Sequence, residues 1–299
     1  NDHPDEILFC SDDKHPDSLV LVHINQLCAR AVARGIDIYK VIKAACINPV
    51  KHYKLDVGLL QPGDHADLIL VHDLKTFKVQ ATYINGVEVA RDGVTKISAP
   101  ASGLINHFHC EPRLEADFAI PAPAGTPVIV PVIEALDGQL ITNKLMLEAK
   151  VEDGQLVSDT ERDILKMVVV NRYNPAPVAT AFIKNFNLKK GALASSVAHD
   201  SHNIVAVGVD DESLCKAVNL VIAHRGGVSY ADENNELIVP LPVAGLMSNE
   251  DGYKVAEQYS NIDKMTKDAG STLGAPFMTL SFMALLVIPH LKLSDKGLF

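Results

Sequence analysis

Basic residues are in the minority. The chain has 27 Lys and Arg against 37 Asp and Glu, a formal net charge of −10. That balance leaves no broad basic stripe, so nucleic acid and an anionic membrane are excluded as first expectations for a partner. Cysteine is sparse as well. Cys10, Cys28, Cys46, Cys110 and Cys215 are scattered, and no two form CxxC. An odd, unpatterned set fits free buried thiols in a reducing compartment better than a secreted disulfide scaffold. The longest apolar stretch, Phe277 to Ile288, is about twelve residues against the roughly twenty of a spanning helix, and reads as core. No Walker A loop, dinucleotide fingerprint or GxSxG is present. The HxE…PCxxC signature is missing too, which excludes the cytidine-deaminase type of zinc site. There is no signal-peptide pattern. The chain opens on Asn1-Asp2-His3 without Met, which reads as a cut end that would hide one. The expectation is a soluble, cytoplasmic protein.

What is present is a globular composition. Hydrophobic residues make up 47% and charged residues 21% of 299. The 18 Gly and 16 Pro are too few for a collagen-like or linker-rich chain. Length alone predicts about two domains.

The pattern along the chain predicts mixed α/β structure. Ile7 to Cys10 reads as a short buried strand that empties into Ser11-Asp12-Asp13. Asp17 or Ser18 can cap a helix through roughly Arg34, closed by Gly35. Asp37 can cap a second helix, which Pro49 ends. Residues 57–97 change character. Gly58 to Asp64 is turn chemistry and Asp67 to Val71 a strand. Val79 to Ile84, Asn85-Gly86 and Val87 to Ala90 form a hairpin. Residues 98–125, with Pro100, Pro112, Pro121 and Pro123, read as a connector, which Phe108 and Phe118 tie to a packed surface. Residues 126–299 read as α+β. Hairpins are expected around Asp137-Gly138 and Glu233-Asn234-Asn235, and strands at Ile164 to Val170 and Ile204 to Val209. Helices are expected from Asp210 or Asp211 to His224, and from Asn249 to Asp268.

Three places can carry chemistry. The acids of Ser11-Asp12-Asp13, at the C-terminal edge of a strand, can bind a metal or move protons; they can equally cap a helix and solvate a loop. In His199-Asp200-Ser201-His202-Asn203, an Asp beside a His can orient the imidazole or shift its pKa, or the run can be a hydrogen-bonded turn. His107-Phe108-His109 would put two imidazoles on one face of a strand, but an HxH pair alone is a weak metal motif and no barrel strand surrounds it. The cysteines sit in no nucleophile signature and read as small buried hydrophobes.

Phe9-Cys10-Ser11-Asp12-Asp13-Lys14-His15-Pro16 resembles the last-strand motif of bacterial adenine deaminases, which belong to the amidohydrolase superfamily. His23-Ile24-Asn25, Ala29-Arg30-Ala31, Gly35-Ile36-Asp37 and Ala44 to Pro49 continue the resemblance. Leu60 to Leu68 carries a PG-x-x-ADL pattern shared across many amidohydrolases. Gly191 to Asn203 and Leu241 to Ser248 are similar to the C-terminal domain specific to adenine deaminases.

The resemblance implies three parts. Residues 1–56 would be the end of an amidohydrolase (β/α)8 barrel, 57–110 a small β-sandwich-type domain, and 111–299 an α+β domain. It also implies hydrolysis of adenine to hypoxanthine and ammonia, a step of purine salvage, with manganese or iron as a dinuclear centre. Metal-bound water would attack C6, and Asp12 would be both metal ligand and proton carrier, with Asp13 as the adjacent alternative. His199, Asp200 and His202 are possible active-site neighbours, to which the resemblance assigns no definite role. The family's other metal ligands lie on earlier barrel strands, so the expectation is a C-terminal half that lacks the N-terminal half of the barrel and is inactive alone. A homo-oligomer is expected. Two other readings stand beside this one: an amidohydrolase of another cyclic amidine or amide, and a non-catalytic binding or oligomerisation module.

Overall fold

The computed structural model describes residues 3–98, 103–125 and 127–299. Asn1, Asp2 and Pro100 of the readings above lie outside the described residues, as does residue 126, the expected start of the C-terminal part. The fold is mixed α/β and divides into two units, Asn1–Ala101 and Ser102–Phe299.

In the first unit the predicted strand Ile7 to Cys10 does not form. The segment is extended without a strand partner, and is held by Phe9 N–H to the Ala44 carbonyl at 3.1 Å. Asn48 donates from Nδ2 to the carbonyls of Pro4 (2.9 Å) and Ile7 (2.6 Å). A strand needs a ladder, and among the described residues this segment has none. The single helix expected through Arg34 is two: α1 (Pro16–Leu19) and α2 (Ile24–Ala33). Leu19 to Val22 are all exposed, so no packing sustains a continuous apolar stripe between them. Asp37 caps α3 (Ile38–Ile42), accepting from the amides of Tyr39 and Lys40 at 3.1 and 3.2 Å. Pro49 does not end this run. A π turn (Lys43–Ile47) intervenes, and Pro49 falls in the first turn of α4 (Asn48–Tyr53), where its missing N–H is harmless.

Four strands follow, β1 (Leu68–Val71), β2 (Val79–Ile84), β3 (Val87–Arg91) and β4 (Val94–Thr95), in an antiparallel meander. The Asn85-Gly86 turn has both φ positive (50° and 77°), as a type I′ hairpin needs. Asp67 of the PG-x-x-ADL segment ties two loops, accepting from Gly58 N–H (2.9 Å) and Asn85 N–H (2.8 Å). Cys28 and Val41 pack with Phe77, joining helices to sheet.

The second unit is built on an eight-stranded sheet. Its strands are β5 (Ile129–Ala135), β6 (Thr142–Glu148), β9 (Ile164–Val170), β10 (Ala179–Lys184), β11 (Ala192–Ser195), β12 (Ile204–Gly208), β13 (Gly227–Ala231) and β14 (Glu236–Pro240). The order across the sheet is β14-β13-β11-β12-β9-β10-β5-β6, and β5 and β10 are its parallel pair. Two small hairpins stand apart, β7 (Lys150–Glu152) with β8 (Gln155–Val157) and β15 (Leu293–Ser294) with β16 (Gly297–Leu298).

The central strands are buried on both faces, which is why β12 reads as an unbroken apolar run and β9 as one interrupted only by Lys166. One face packs α6 (Gly252–Asp268) and α7 (Pro276–Phe282) through Tyr259, Ile262, Phe277 and Leu280. The other packs α5 (Asp211–Ala223) through Leu214, Ala217, Val218, Val221 and Ile222, an i, i+3, i+4, i+7, i+8 stripe. Phe108 and Phe118 of the Pro-rich segment also enter that second core, as expected. Asp210 caps α5, accepting from Ser213 N–H at 2.6 Å.

The cysteines are not all buried, contrary to expectation. Cys28 is buried, but Cys10 and Cys46 are exposed and Cys110 and Cys215 are intermediate. Scattered spacing carries no information about burial. Among the described residues no helix is long and apolar enough to cross a membrane.

Candidate functional site

Asp12 follows the anchored segment Ile7 to Cys10 and sits at φ 53°, in the left-handed region. That conformation is costly for a non-glycine residue, though Asp tolerates it better than most. Local bonds hold it there. Asp12 N–H donates to Cys10 Sγ at 3.3 Å, and the Asp12 carboxylate accepts from Asp13 N–H at 2.9 Å. Both acids are exposed. The neighbouring Ser11 Oγ lies 3.0 Å from His23 Nε2. In the sequence His23 is only a point of resemblance, because a serine–histidine contact across twelve residues has no local spacing signal.

Asp12 therefore presents one carboxylate beside a Ser–His pair. Among the described residues, no group of three or more His, Cys, Asp or Glu side chains could hold a metal ion. One carboxylate does not fit a dinuclear manganese or iron centre, which needs several donors around each ion.

The second candidate lies in the other unit, between β11 and β12. Residues Ala198 to His202 form a tight turn, with His202 N–H to the Ala198 carbonyl at 2.6 Å and Ala198 N–H to His202 Nδ1 at 3.3 Å. His199 N–H donates to the Ser281 carbonyl at 3.0 Å, and its ring stacks on Phe282 of α7 with centroids 4.9 Å apart. The His199 and His202 rings meet edge on at 5.6 Å. Asp200 is exposed, while His202 is half-buried. Burial holds the His202 imidazole below its ordinary pKa; His199 and Arg172 push the same way and Asp200 opposes them. The segment is a hydrogen-bonded turn, one of the two forms expected of it.

The residue that organises this turn stands in no motif of the sequence. Arg172, 3% exposed, follows the apolar strand β9. Its Nε donates to the His202 carbonyl, Nη2 to the Ala244 carbonyl (2.9 Å) and to Tyr173 Oη (2.9 Å), and Nη1 to Asn106 Oδ1 (3.4 Å). The guanidinium also lies over the rings of Tyr173 and Phe108, 4.6 and 5.7 Å from their centroids. Gly245 makes this possible: a Cβ there would lie 2.3 Å from Arg172 Nη1. The signal was a charge two residues after a seven-residue buried strand, where a cation needs hydrogen-bond partners to be tolerated. His107 and His109 flank the buried Phe108 and are both exposed, with rings edge on at 5.9 Å. Their backbone is irregular rather than a strand.

Residues 139–299, more than half of the chain, match the adenine deaminase C-terminal domain. The chain belongs to the adenine deaminase family. Residues 5–89 match the amidohydrolase family, a span that includes the exposed Asp12 turn, β1, β2 and the start of β3 but not β4. The adenine deaminase of Salinibacter ruber is 51% identical over 298 residues, covering 99% of this chain and 54% of that protein. That of Methanosarcina barkeri is 48% identical over 306 residues (100% and 55%), and that of a Sulfurovum species 48% over 298 (99% and 54%). The chain thus spans about half the length of the family members it matches. Both the Asp12 turn and the Arg172-centred turn lie within these aligned lengths.

Proposed function

We propose that the whole protein hydrolyses adenine to hypoxanthine and ammonia. Water adds to C6, the C6–N bond breaks, and one proton passes from the water to the departing amine. Asp12 is the carboxylate that takes and returns that proton: it is exposed, held at a fixed turn, and lies within the segment that matches the amidohydrolase family. The observation that carries the substrate is the match of residues 139–299 to a domain defined for adenine deaminases. Asp12 is also proposed as a ligand of the manganese or iron centre, whose other donors come from outside these 299 residues. For that reason the 299 residues alone do not turn over adenine. The proposal extends to the finer architecture, with residues 1–56 as the end of a (β/α)8 barrel and 57–110 and 111–299 as two further domains. It includes purine salvage, a cytoplasmic location and a homo-oligomeric state.

The test is Asp12→Asn in the whole protein. Adenine turnover is expected to fall by about a hundredfold or more, at the low end of which general acid–base loss lies. Metal content is expected to fall with it. Asp13→Asn serves as the control for the adjacent acid. Unchanged turnover and metal content in Asp12→Asn would end the assignment. Parallel assays with other purines and with dihydroorotate decide the substrate, since turnover of dihydroorotate without adenine replaces this reading by another amidohydrolase. His199, Asp200 and His202 are proposed as active-site neighbours. Alanine at each is expected to change KM or kcat for adenine, and a residue whose variant leaves both unchanged has no such role.

A further inference from the structure

The eight-stranded sheet of the second unit ends on β6, whose partner strand is β5 on one side. The register is regular from Ile129↔Glu148 to Ala135↔Thr142. Thr142 points its backbone away from β5, because its N–H donates to the Pro289 carbonyl and its carbonyl accepts from His290 N–H. Ala149, at the other end, points inward and donates to the Val128 carbonyl. Backbone polarity alternates along a strand, so Lys144, Met146 and Glu148 direct their N–H and C=O groups outward. Residues 289–290 occupy the outward side at Thr142, and among the described residues none bonds the outward groups from Lys144 to Glu148. Strand edges of this kind are usually blunted by charged side chains, proline or a bulge; β6 has no proline and no register shift, and its two charges, Lys144 and Glu148, are of opposite sign. Its surroundings are apolar and open instead. Met146 is 57% and Ile129 51% exposed, and Leu140 and Ile141 are exposed beside them.

We infer that this edge is the contact between two copies of the chain, with β6 pairing antiparallel to the partner's β6 about a two-fold axis at Met146. Charge and polarity select that register. Centred on Met146, the hydrogen-bonded pairs are Met146 with itself and Lys144 with Glu148 of the partner subunit, formed twice by symmetry. The non-hydrogen-bonded pairs are Leu145 with Leu147, both half-buried over the core beneath β5 and β6. A centre at Lys144 or at Glu148 would set like charges face to face. A centre at Leu145 would require the outward groups of Thr142, which are already bonded. Pairing joins two sheets into one of sixteen strands and covers Met146. This surface rests on the homo-oligomer part of the reading above and gives it an address.

The experiment measures the mass of the whole protein by sedimentation equilibrium across a concentration series. Wild type is expected to dimerise. Lys144→Glu and Glu148→Lys are each expected to weaken the dimer at least tenfold, and the combined Lys144→Glu/Glu148→Lys swap to restore most of it. Both side chains are exposed, so the fold is not at risk. Met146→Pro deletes one outward N–H without touching the ladder to β5, and is expected to leave a monomer. A monomeric wild type overturns the oligomer reading together with this surface. An oligomer that ignores both single reversals, or a swap no better than the singles, overturns the surface alone.

Discussion

Arg172 Nε donates a hydrogen bond to the carbonyl oxygen of His202 at 2.5 Å. Through the same guanidinium, the connector at Asn106 and the loop at Ala244 are joined to the His199–His202 turn. Three segments far apart in sequence thus share one buried cation. Such a centre depends on its hydrogen bonds, because a buried polar group left without a partner costs far more than a bonded one contributes.

Arg172→Ala is therefore expected to destabilise the protein by about 3 kcal/mol or more, as loss of a buried network does. Arg172→Lys is expected to recover little, since an ammonium cannot reproduce the planar fork. Urea unfolding measures both. A loss within about 0.5 kcal/mol for Arg172→Ala, the ordinary scatter of surface substitutions, would show that the network is dispensable.

His202 is expected to titrate below the ordinary 6.5 of histidine, because burial disfavours its charge and His199 and Arg172 add to that. Asp200→Asn is expected to lower the midpoint further, and Arg172→Met to raise it. Since the folded pKa is the lower one, the unfolded chain binds more protons, and stability falls as pH drops from about 6.5 through the folded value. Imidazole chemical shifts followed by NMR give the midpoints. A midpoint above 6.5 in wild type would contradict the burial.

Lys292, 1% exposed, donates to the carbonyls of Leu140 (2.7 Å) and Phe282 (3.0 Å), and burial lowers its pKa from 10.5 to about 8. Its charge costs stability in full below pH 8. Stability attributable to this group is expected to rise from pH 8 to 10.5, by at most about 3 kcal/mol. The comparison is wild type against Lys292→Met, unfolded in urea at several pH values. Parallel pH profiles for the two proteins would remove Lys292 as the cause.

Lys166, 2% exposed, pairs with Asp211 at 2.5 Å and also donates to the Phe118 carbonyl at 3.0 Å. Asp211→Ala leaves a buried ammonium without its counter-charge, and a loss of about 3–5 kcal/mol is expected. Lys166→Met with Asp211→Leu is expected to regain most of it, because the penalty lies in the stranded charge rather than in the absent pair. A double variant as unstable as Asp211→Ala would contradict that account.

The sequence by itself determined the local elements whose cause is local. Asn85-Gly86 favours a type I′ turn, Asp37 and Asp210 cap their helices, and the short β-branched runs of β9 and β12 form buried strands. It also carried the family, through the Asp12 motif and the segments after Gly191, which the domain match bears out. Tertiary structure decided the rest. Ile7 to Cys10 has strand composition but no ladder partner among the described residues, and Pro49 became harmless only because a π turn precedes it. Cysteine burial, the pairing of Ser11 with His23, and the gathering of Asn106, Arg172, His202 and Ala244 depend on contacts across twelve to more than seventy residues. Periodicity reports which face of an element is apolar. It does not report which distant element meets that face, since the choice is made by packing and by the need of each buried polar group for a partner.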